Sequence, residues 1–259
     1  MNVVTFATGM TGLIGRHLSG KAIELKINLA ALDERYFLET IGSNDNVIHL
    51  AGIVGESKVL ENLEHSYLVN VEGTEKLARL FFQHSQGRFV YVSTSHVYRK
   101  SSFVLDENSP TDPSTVYAGQ KLLAEEKIQA IFENEPHRLV IVRLFSVLGD
   151  GMPDFSLGGA VRKLLANKDY KLENCDDVRD FLSPKQAAEY IWKITSLSPI
   201  SGVINLCSGR SKTVREAVLE MIPVDLHQLA LSKLLKGNSA NPRIIGSNKK
   251  LLSFLRIEP

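Results

Sequence analysis

The stretch that most constrains this chain is Val3 to Leu18, VVTFATGMTGLIGRHL. An apolar run, Val3 to Ala7, reads as a short buried strand. Gly9, Gly12 and Gly15 follow in a G-x-x-G-x-x-G pattern, and a helical pattern opens near Leu13. A strand, a glycine turn and a helix N-terminus together make a phosphate-binding device. Glycine lets the backbone turn sharply and approach a pyrophosphate with no Cβ in the way. The helix N-terminus offers unpaired N–H groups and a partial positive charge. Three glycines alone are an ordinary strand-to-helix turn; the flanking strand and helix tilt the pattern toward dinucleotide binding.

At 259 residues the chain suits one α/β domain, or a large lobe with a small one. A net charge of +1 argues against a nucleic acid as the main partner. Cys175 and Cys207 have neither metal-ligand spacing nor a disulfide framework, and read as small buried hydrophobes, so no metal site is expected. The N-terminus runs straight into a strand, without the pattern of a signal peptide. No apolar run approaches the ~20 residues of a membrane span. The expected setting is cytoplasmic, away from membranes.

Along the chain, a first helix is expected over Leu13 to Glu24 and a second strand over Ile27 to Leu32, ending in Asp33. An acid there accepts hydrogen bonds from ribose hydroxyls and repels a 2′-phosphate, which favours NAD over NADP. The other reading of Asp33 is a helix N-cap. The segment from Asp33 to Asn46 holds only one brief helix, around Arg35 to Ile41, so the third strand of a doubly wound half is missing or vestigial. Val47 to Leu50 is the next strand, followed by small Ala51 and Gly52; His49 reads as a packed strand residue. Glu64 to Ser85 has helical periodicity. Arg88 to Ser93 is a strand that delivers Ser93, Thr94 and Ser95 at its carboxyl end, where ligands sit in open α/β sheets. The alternative for those hydroxyls is turn chemistry. Ser114 is expected to cap a helix carrying Tyr117 and Lys121 on one face. An ammonium beside a phenol favours the phenolate, making the tyrosine a plausible base near neutral pH.

These motifs resemble the extended short-chain dehydrogenase/reductases, in particular the NAD-dependent epimerase/dehydratase family acting on nucleotide sugars. TGMTGLIG resembles the cofactor fingerprint, IHLAG a loop after a central strand, NVEGT (Asn70 to Thr74) a helix motif and VYVSTSHVY the hydroxyl-bearing strand. DENSPTDPSTVYAGQK resembles the approach to a Y-x-x-x-K helix, and VRLFSVLGDG, VRDFLSPKQAA and INLCSG follow in family order. The resemblance implies NAD held by Gly9, Thr11, Gly12, Leu13, Ile14, Gly15, Asp33, Leu50, Ala51, Gly52, Asn70, Ser93, Tyr117 and Lys121. It implies catalysis by Thr94, which hydrogen-bonds the reacting sugar oxygen, by Tyr117 as acid/base and by Lys121 at the nicotinamide ribose. On the substrate side it implies Thr94, Ser95, His96, Ser146 and Arg179, whose guanidinium suits a diphosphate; a surface ion pair is the other reading of Arg179.

The chain departs from the family at several points. The segment after Asp33 is truncated, and Ser146 replaces the usual Asn. Lys236 and Arg243 are weak stand-ins for a second diphosphate-gripping arginine. Where dehydratases carry an Asp-Glu pair after the catalytic Thr, this chain has Ser95 and His96. The expected reaction is therefore epimerase or keto-reductase chemistry on a nucleotide sugar, without dehydration. Other readings are an oxidoreductase on a non-nucleotide alcohol or ketone, and an NAD-binding regulator that has lost turnover. The expected architecture is a Rossmann-type, doubly wound parallel sheet from residues 1–150, joined by a strand at Val203 to Leu206, with a small substrate lobe from 151–259. A homodimer is expected through the helices at Glu64–Ser85 and Ser114–Glu133, with Phe82, Leu122 and Ile131 as surplus apolar positions.

Overall fold

The computed structural model describes residues 3–154, 156–196, 200–238 and 243–255. The chain begins with β1 (Thr5–Thr8), β2 (Ile23–Glu24), α1 (Glu34–Thr40) and β3 (Asn46–His49). Next come α2 (Glu56–Glu61), α3 (Leu63–Tyr67) and α4 (Thr74–His84), with a π-helical turn, Leu68–Gly73, joining α3 to α4. β4 (Phe89–Thr94), α5 (Val116–Ile131) and β5 (Leu139–Leu144) complete the core of the first lobe. The remaining elements are β6 (Ser146–Val147), α6 (Leu157–Ala166), β7 (Val178–Leu182), α7 (Pro184–Ser196), β8 (Gly202–Leu206), β9 (Ser211–Thr213), α8 (Val214–Met221), α9 (His227–Leu231), β10 (Arg243–Ile244) and α10 (Lys249–Leu255).

Six strands form a parallel sheet in the order β2-β1-β3-β4-β5-β8. After β1 the chain steps to one side for β2 and then crosses to the other for β3. The strand order thus reverses at β1 and β3, and their carboxyl ends form the crevice where ligands bind in such sheets. Val203 to Leu206 does return to this sheet, as part of β8 beside β5.

Alternation along the central strands splits the core into two layers. Phe89 and Tyr91 of β4 and Leu139 and Ile141 of β5 join Phe37, Phe81, Ile128 and Phe132 on the α1, α4 and α5 side. Val90, Val92, Val140 and Val142 face the other way, against Leu18, Ile191, Ile194 and Leu251. This period-two division buries both faces, as a sheet covered by helices on both sides requires. The same alternation turns Ser93 toward α5 and Thr94 away from it.

Three expectations are corrected here. The helix expected over Leu13 to Glu24 is only a 3-10 turn, Gly15–Leu18. Ser19 is extended and Gly20 takes φ +78, so the chain leaves the helical region there. The second strand is Ile23–Glu24, not Ile27 to Leu32; residues Leu29–Ala31 form a 3-10 turn, and Leu29 and the following Leu32 are buried without strand pairing. The cap of α5 is Thr115, which accepts from the Ala118 amide, rather than Ser114.

A smaller sheet, β10-β7-β6 with β9 antiparallel to β7, stands beyond the carboxyl ends of the first. Its helices α6 and α8 and the segment around α9 enclose a separate core of Val161, Leu164, Cys175, Val218, Ile222, Ala230 and Leu234. Lys233 ties this lobe together by donating to the carbonyls of Leu164 and Asn167 at the end of α6. Among the described residues no helix is long and apolar enough to cross a membrane.

Candidate active site

At the crevice the turn after β1 and the loop after β3 touch. A Cβ on Gly9 would lie 2.7 Å from the Ala51 amide nitrogen, and Gly9 has φ +71, so this position needs glycine twice over. The Thr8 hydroxyl binds the loop by accepting from the Leu50 and Ala51 amides at 3.2 and 3.1 Å. Its proton then goes to Nδ1 of His49 at 2.7 Å, which leaves Nε2–H to donate to Thr74 at 3.0 Å. Burial, with the nearby Lys121 charge, holds the His49 pKa down at about 3, so this ring is a neutral structural link. Asn70 completes the loop's support: its side chain accepts from the Ile53 amide and donates to the Ile53 carbonyl and to Gln120. Asn70 directly, and His49 through Thr8, thus shape residues 50–53.

The glycine turn fits a pyrophosphate. Gly15 is packed shut, since a Cβ there would overlap the Gly9 carbonyl, whereas Gly12 is exposed and its Cβ would meet only that carbonyl, at 3.2 Å. Among the described residues the amides of Thr11, Leu13 and Ile14 have no partner within the protein. Unpaired amides around an open glycine are the donor set an anion needs.

Tyr117 and Lys121 lie one turn apart on α5, as their spacing predicts. The Glu56 carboxylate accepts from the Val116 and Tyr117 amides at 3.2 and 2.9 Å and so fixes where this helix starts. The electrostatics differ from the expected phenolate. Lys121 Nζ donates to the Val92 carbonyl at 2.8 Å and lies 4.2 Å above the Tyr91 ring. Tyr117 is pushed up to about 12 by burial, and burial pulls Lys121 down to about 7 against the opposing pull of Glu125. Burial favours the protonated Tyr117 phenol, while Lys121 Nζ is engaged by strand β4. Thr94, at the end of β4, accepts from the His96 amide at 3.3 Å and retains its own proton to donate. Ser93 also faces α5, but its hydroxyl is engaged one turn past Lys121, donating to Glu125.

The second lobe supplies the facing wall. Ser146 begins immediately past β5, which pairs with β4 up to Leu144 opposite Thr94. Ser146 pairs with Phe181, and Arg179 lies two residues before Phe181, so Ser146 and Arg179 share one face of the small sheet. Arg179 donates to Asp177 at 2.7 Å and to the Val178 carbonyl at 3.0 Å. Its charge reaches His96: burial first, then Arg179, lowers the imidazole pKa. His96 keeps solvent access yet is crowded by protein, as a side chain lining a cleft is. Ser95 is buried, its carbonyl accepting from the Tyr98 amide. Arg243 pairs with Val178 and therefore points to the face opposite Arg179, so it does not join this wall, and Lys236 is an exposed residue outside the small sheet.

Asp33 is corrected in position. It caps α1 by accepting from the Tyr36 amide at 3.1 Å, nine residues past the end of β2. The acid that does end β2 is Glu24, so the argument from Asp33 for NAD over NADP falls away. Sequence reading also passed over Thr8, Glu56 and Gln120. Thr8 directly precedes the first glycine, but nothing local ties Glu56 to a helix sixty residues later.

The geometry separates two roles for the glycines. Gly12→Val is expected to leave the melting temperature near that of the parent while abolishing measurable NAD binding by titration. Gly15→Ala is expected to lower the melting temperature itself, because its Cβ meets fixed backbone.

Comparison with known proteins accords with this arrangement. A family-wide profile described as "NAD dependent epimerase/dehydratase family" matches residues 6–207. The GDP-6-deoxy-D-mannose reductase of Pseudomonas aeruginosa is 27% identical over 247 residues, covering 87% of this chain and 81% of that protein. The GDP-6-deoxy-D-talose 4-dehydrogenase of Aggregatibacter actinomycetemcomitans is 27% identical over 220 residues, covering 82% and 73%. The solved structure of RMD from Pseudomonas aeruginosa complexed with NADPH shares the fold with a TM-score of 0.84 at 23% identity, over 100% of this chain and 94% of that one. The sheet order, the glycine turn and the profile match agree: this chain belongs to the NAD dependent epimerase/dehydratase family of enzymes.

Proposed function

We propose that this protein is a ketoreductase that uses a nicotinamide cofactor to reduce a keto group on a nucleoside-diphosphate-activated hexose, with a GDP-sugar as the first substrate to try. The observation that carries this chemistry is geometric: Tyr117 stands one turn before Lys121 on α5, and Thr94 ends β4 with a free hydroxyl proton. Burial favours the protonated Tyr117 phenol. That phenol can give its proton to a developing alkoxide, a stronger base than a phenolate. Two relatives, one named a GDP-6-deoxy-D-mannose reductase and one a GDP-6-deoxy-D-talose 4-dehydrogenase, support redox chemistry on a GDP-sugar.

A bound nicotinamide supplies hydride exchange. The chain's own residues do the rest. The Thr94 and Tyr117 hydroxyls orient the carbonyl oxygen, and Tyr117 delivers the proton to it. Lys121 stands one turn below to engage the ribose. Across the cleft Arg179, with His96 beside it, faces the charged diphosphate, and Ser146 shares that wall. Dehydration needs an acid for the departing hydroxyl and a base for the proton beside the ketone. Ser95 is buried and has no acid to offer, so His96 alone leaves elimination half-equipped.

We also propose a two-fold homodimer. Phe82 and Ile131 pack into the chain's own core, Phe82 edge-on to Phe132, and Leu122 is half-buried. Next to the helices that carry these residues, α2, α3 and the start of α5 expose Leu60, Leu63, Tyr67 and Val116. A surface cavity of about 400 Å³ opens there, lined by Leu63, Glu64, Tyr67, Leu68 and Glu72. Light scattering is expected to give twice the 28.7 kDa chain mass, falling to one chain in a Leu63→Glu, Tyr67→Glu variant; a monomeric parent at micromolar concentration would count against the dimer.

The reaction is tested with GDP-, UDP- and dTDP-linked 4-keto hexoses and reduced cofactor, following its absorbance. At least one ketone should be consumed. Tyr117→Phe should cut that turnover by about 10²–10⁴ while leaving cofactor affinity unchanged. A protein that only interconverts epimers, with no net use of reduced cofactor, would replace this reading with the epimerase one.

A further inference from the structure

Four residues after Lys121, α5 carries a second charged side chain that the proposed reaction does not use. Glu125 is 1% exposed. Its carboxylate accepts from the Ser93 hydroxyl and takes Arg143 of β5 in a two-pronged contact, Nη2 at 2.8 Å and Nε at 3.1 Å. Arg143 is itself 6% exposed and lies 4.7 Å over the Tyr98 ring. Tyr98 in turn donates to Asn205 of β8 at 2.6 Å. A helix, three neighbouring strands and the approach loop are thereby joined by one buried polar chain. A buried ion pair of this kind is weak evidence for stability, because desolvation offsets most of the attraction. Its placement one turn below Lys121 therefore calls for another explanation.

We propose that Glu125 is a positioning residue of the reaction: a fixed counter-charge, pinned by Ser93 and Arg143, that keeps the buried Lys121 ammonium charged and in place. This rests on the reading that Lys121 works in the proposed reaction. The groups facing Lys121 are few. Glu125 and Tyr117 share its helix. β4 presents the Tyr91 ring, the Val92 carbonyl and Ser93, and β3 presents the neutral His49. Arg143 of β5 lies behind Glu125. From the helices packed on α5, Asn70 contributes only an amide, bonded to Gln120 of α5 itself. Glu75 pairs with Lys127 and Arg79 at the outer edge, and Glu56 is engaged by the α5 amides. Glu125 is the one carboxylate in this set that shares the buried face of α5 with Lys121, one turn on, and its negative charge opposes the fall that burial imposes on the amine.

The test reads Lys121 directly, by ¹⁵N NMR of lysine-labelled protein with Lys121→Arg for assignment, and in parallel reads the pH profile of kcat/KM. Glu125→Gln is expected to move the Lys121 midpoint down by about one pH unit or more, and the alkaline limb of kcat/KM should move down with it. A purely structural Glu125 would lower the melting temperature and leave both midpoints where they were, and that result would overturn the proposal. Should the Gln variant fail to fold, Glu125→Asp withdraws the charge by one methylene. The expected change is then smaller and in the same direction, and an unmoved midpoint would again overturn it. If no nucleotide sugar is turned over, the ketoreductase reading fails, while the NMR titration still decides the role of Glu125.

Discussion

Everything at this site depends on how closely two backbones approach. The turn after β1 and the loop after β3 come together at Gly9 and Ala51, a distance that no side chain on Gly9 would allow. The contact is held by hydrogen bonds rather than by apolar packing. One threonine hydroxyl takes two amides and hands its proton to a buried histidine, which hands another to Thr74. Because His49 is kept neutral, the link adds no charge beneath the crevice, and the unpaired amides of the glycine turn offer an anion their hydrogen bonds. A neutral floor under an electropositive turn suits a ligand that brings its own negative charge.

The helix that carries Tyr117 and Lys121, α5, is anchored separately. Glu56 sets its start, Asn70 and Gln120 fix its outer side to the loop, and Glu125 with Arg143 fixes its inner side to the sheet. Tyr117 and Lys121 fall between these anchors and so inherit their positions. Burial then acts on the two in opposite senses, raising the phenol and lowering the amine. The result is a proton donor that is still loaded and an ammonium with little charge to spare, which is why the carboxylate below it matters.

Much of this was legible in the residues. The glycine spacing, the apolar alternation of β4 and β5, and the Tyr117–Lys121 interval are periodic signals that tertiary structure has no reason to override. The first helix and second strand were misread because Leu25, Leu29 and Leu32 are apolar for packing, not for strand pairing, and bury themselves from irregular backbone. Gly20 carried the local warning, since a positive φ there stops a helix. Asp33 carried a true local signal, the N-cap, that a longer-range argument displaced. The raised pKa of Tyr117 was beyond reach: it follows from how deeply the folded chain buries the phenol, which no local spacing reports.

In the proposed reaction this crevice moves a hydride and a proton onto a sugar ketone and does nothing else to the sugar. The most direct measurement supplies reduced cofactor deuterated at its transferable position together with a GDP-linked 4-keto-6-deoxyhexose, and reads the product by mass spectrometry and NMR. The expected product carries one deuterium on the carbon that bore the ketone, with the sugar otherwise intact. A product without deuterium, or one lighter by a molecule of water, would contradict it.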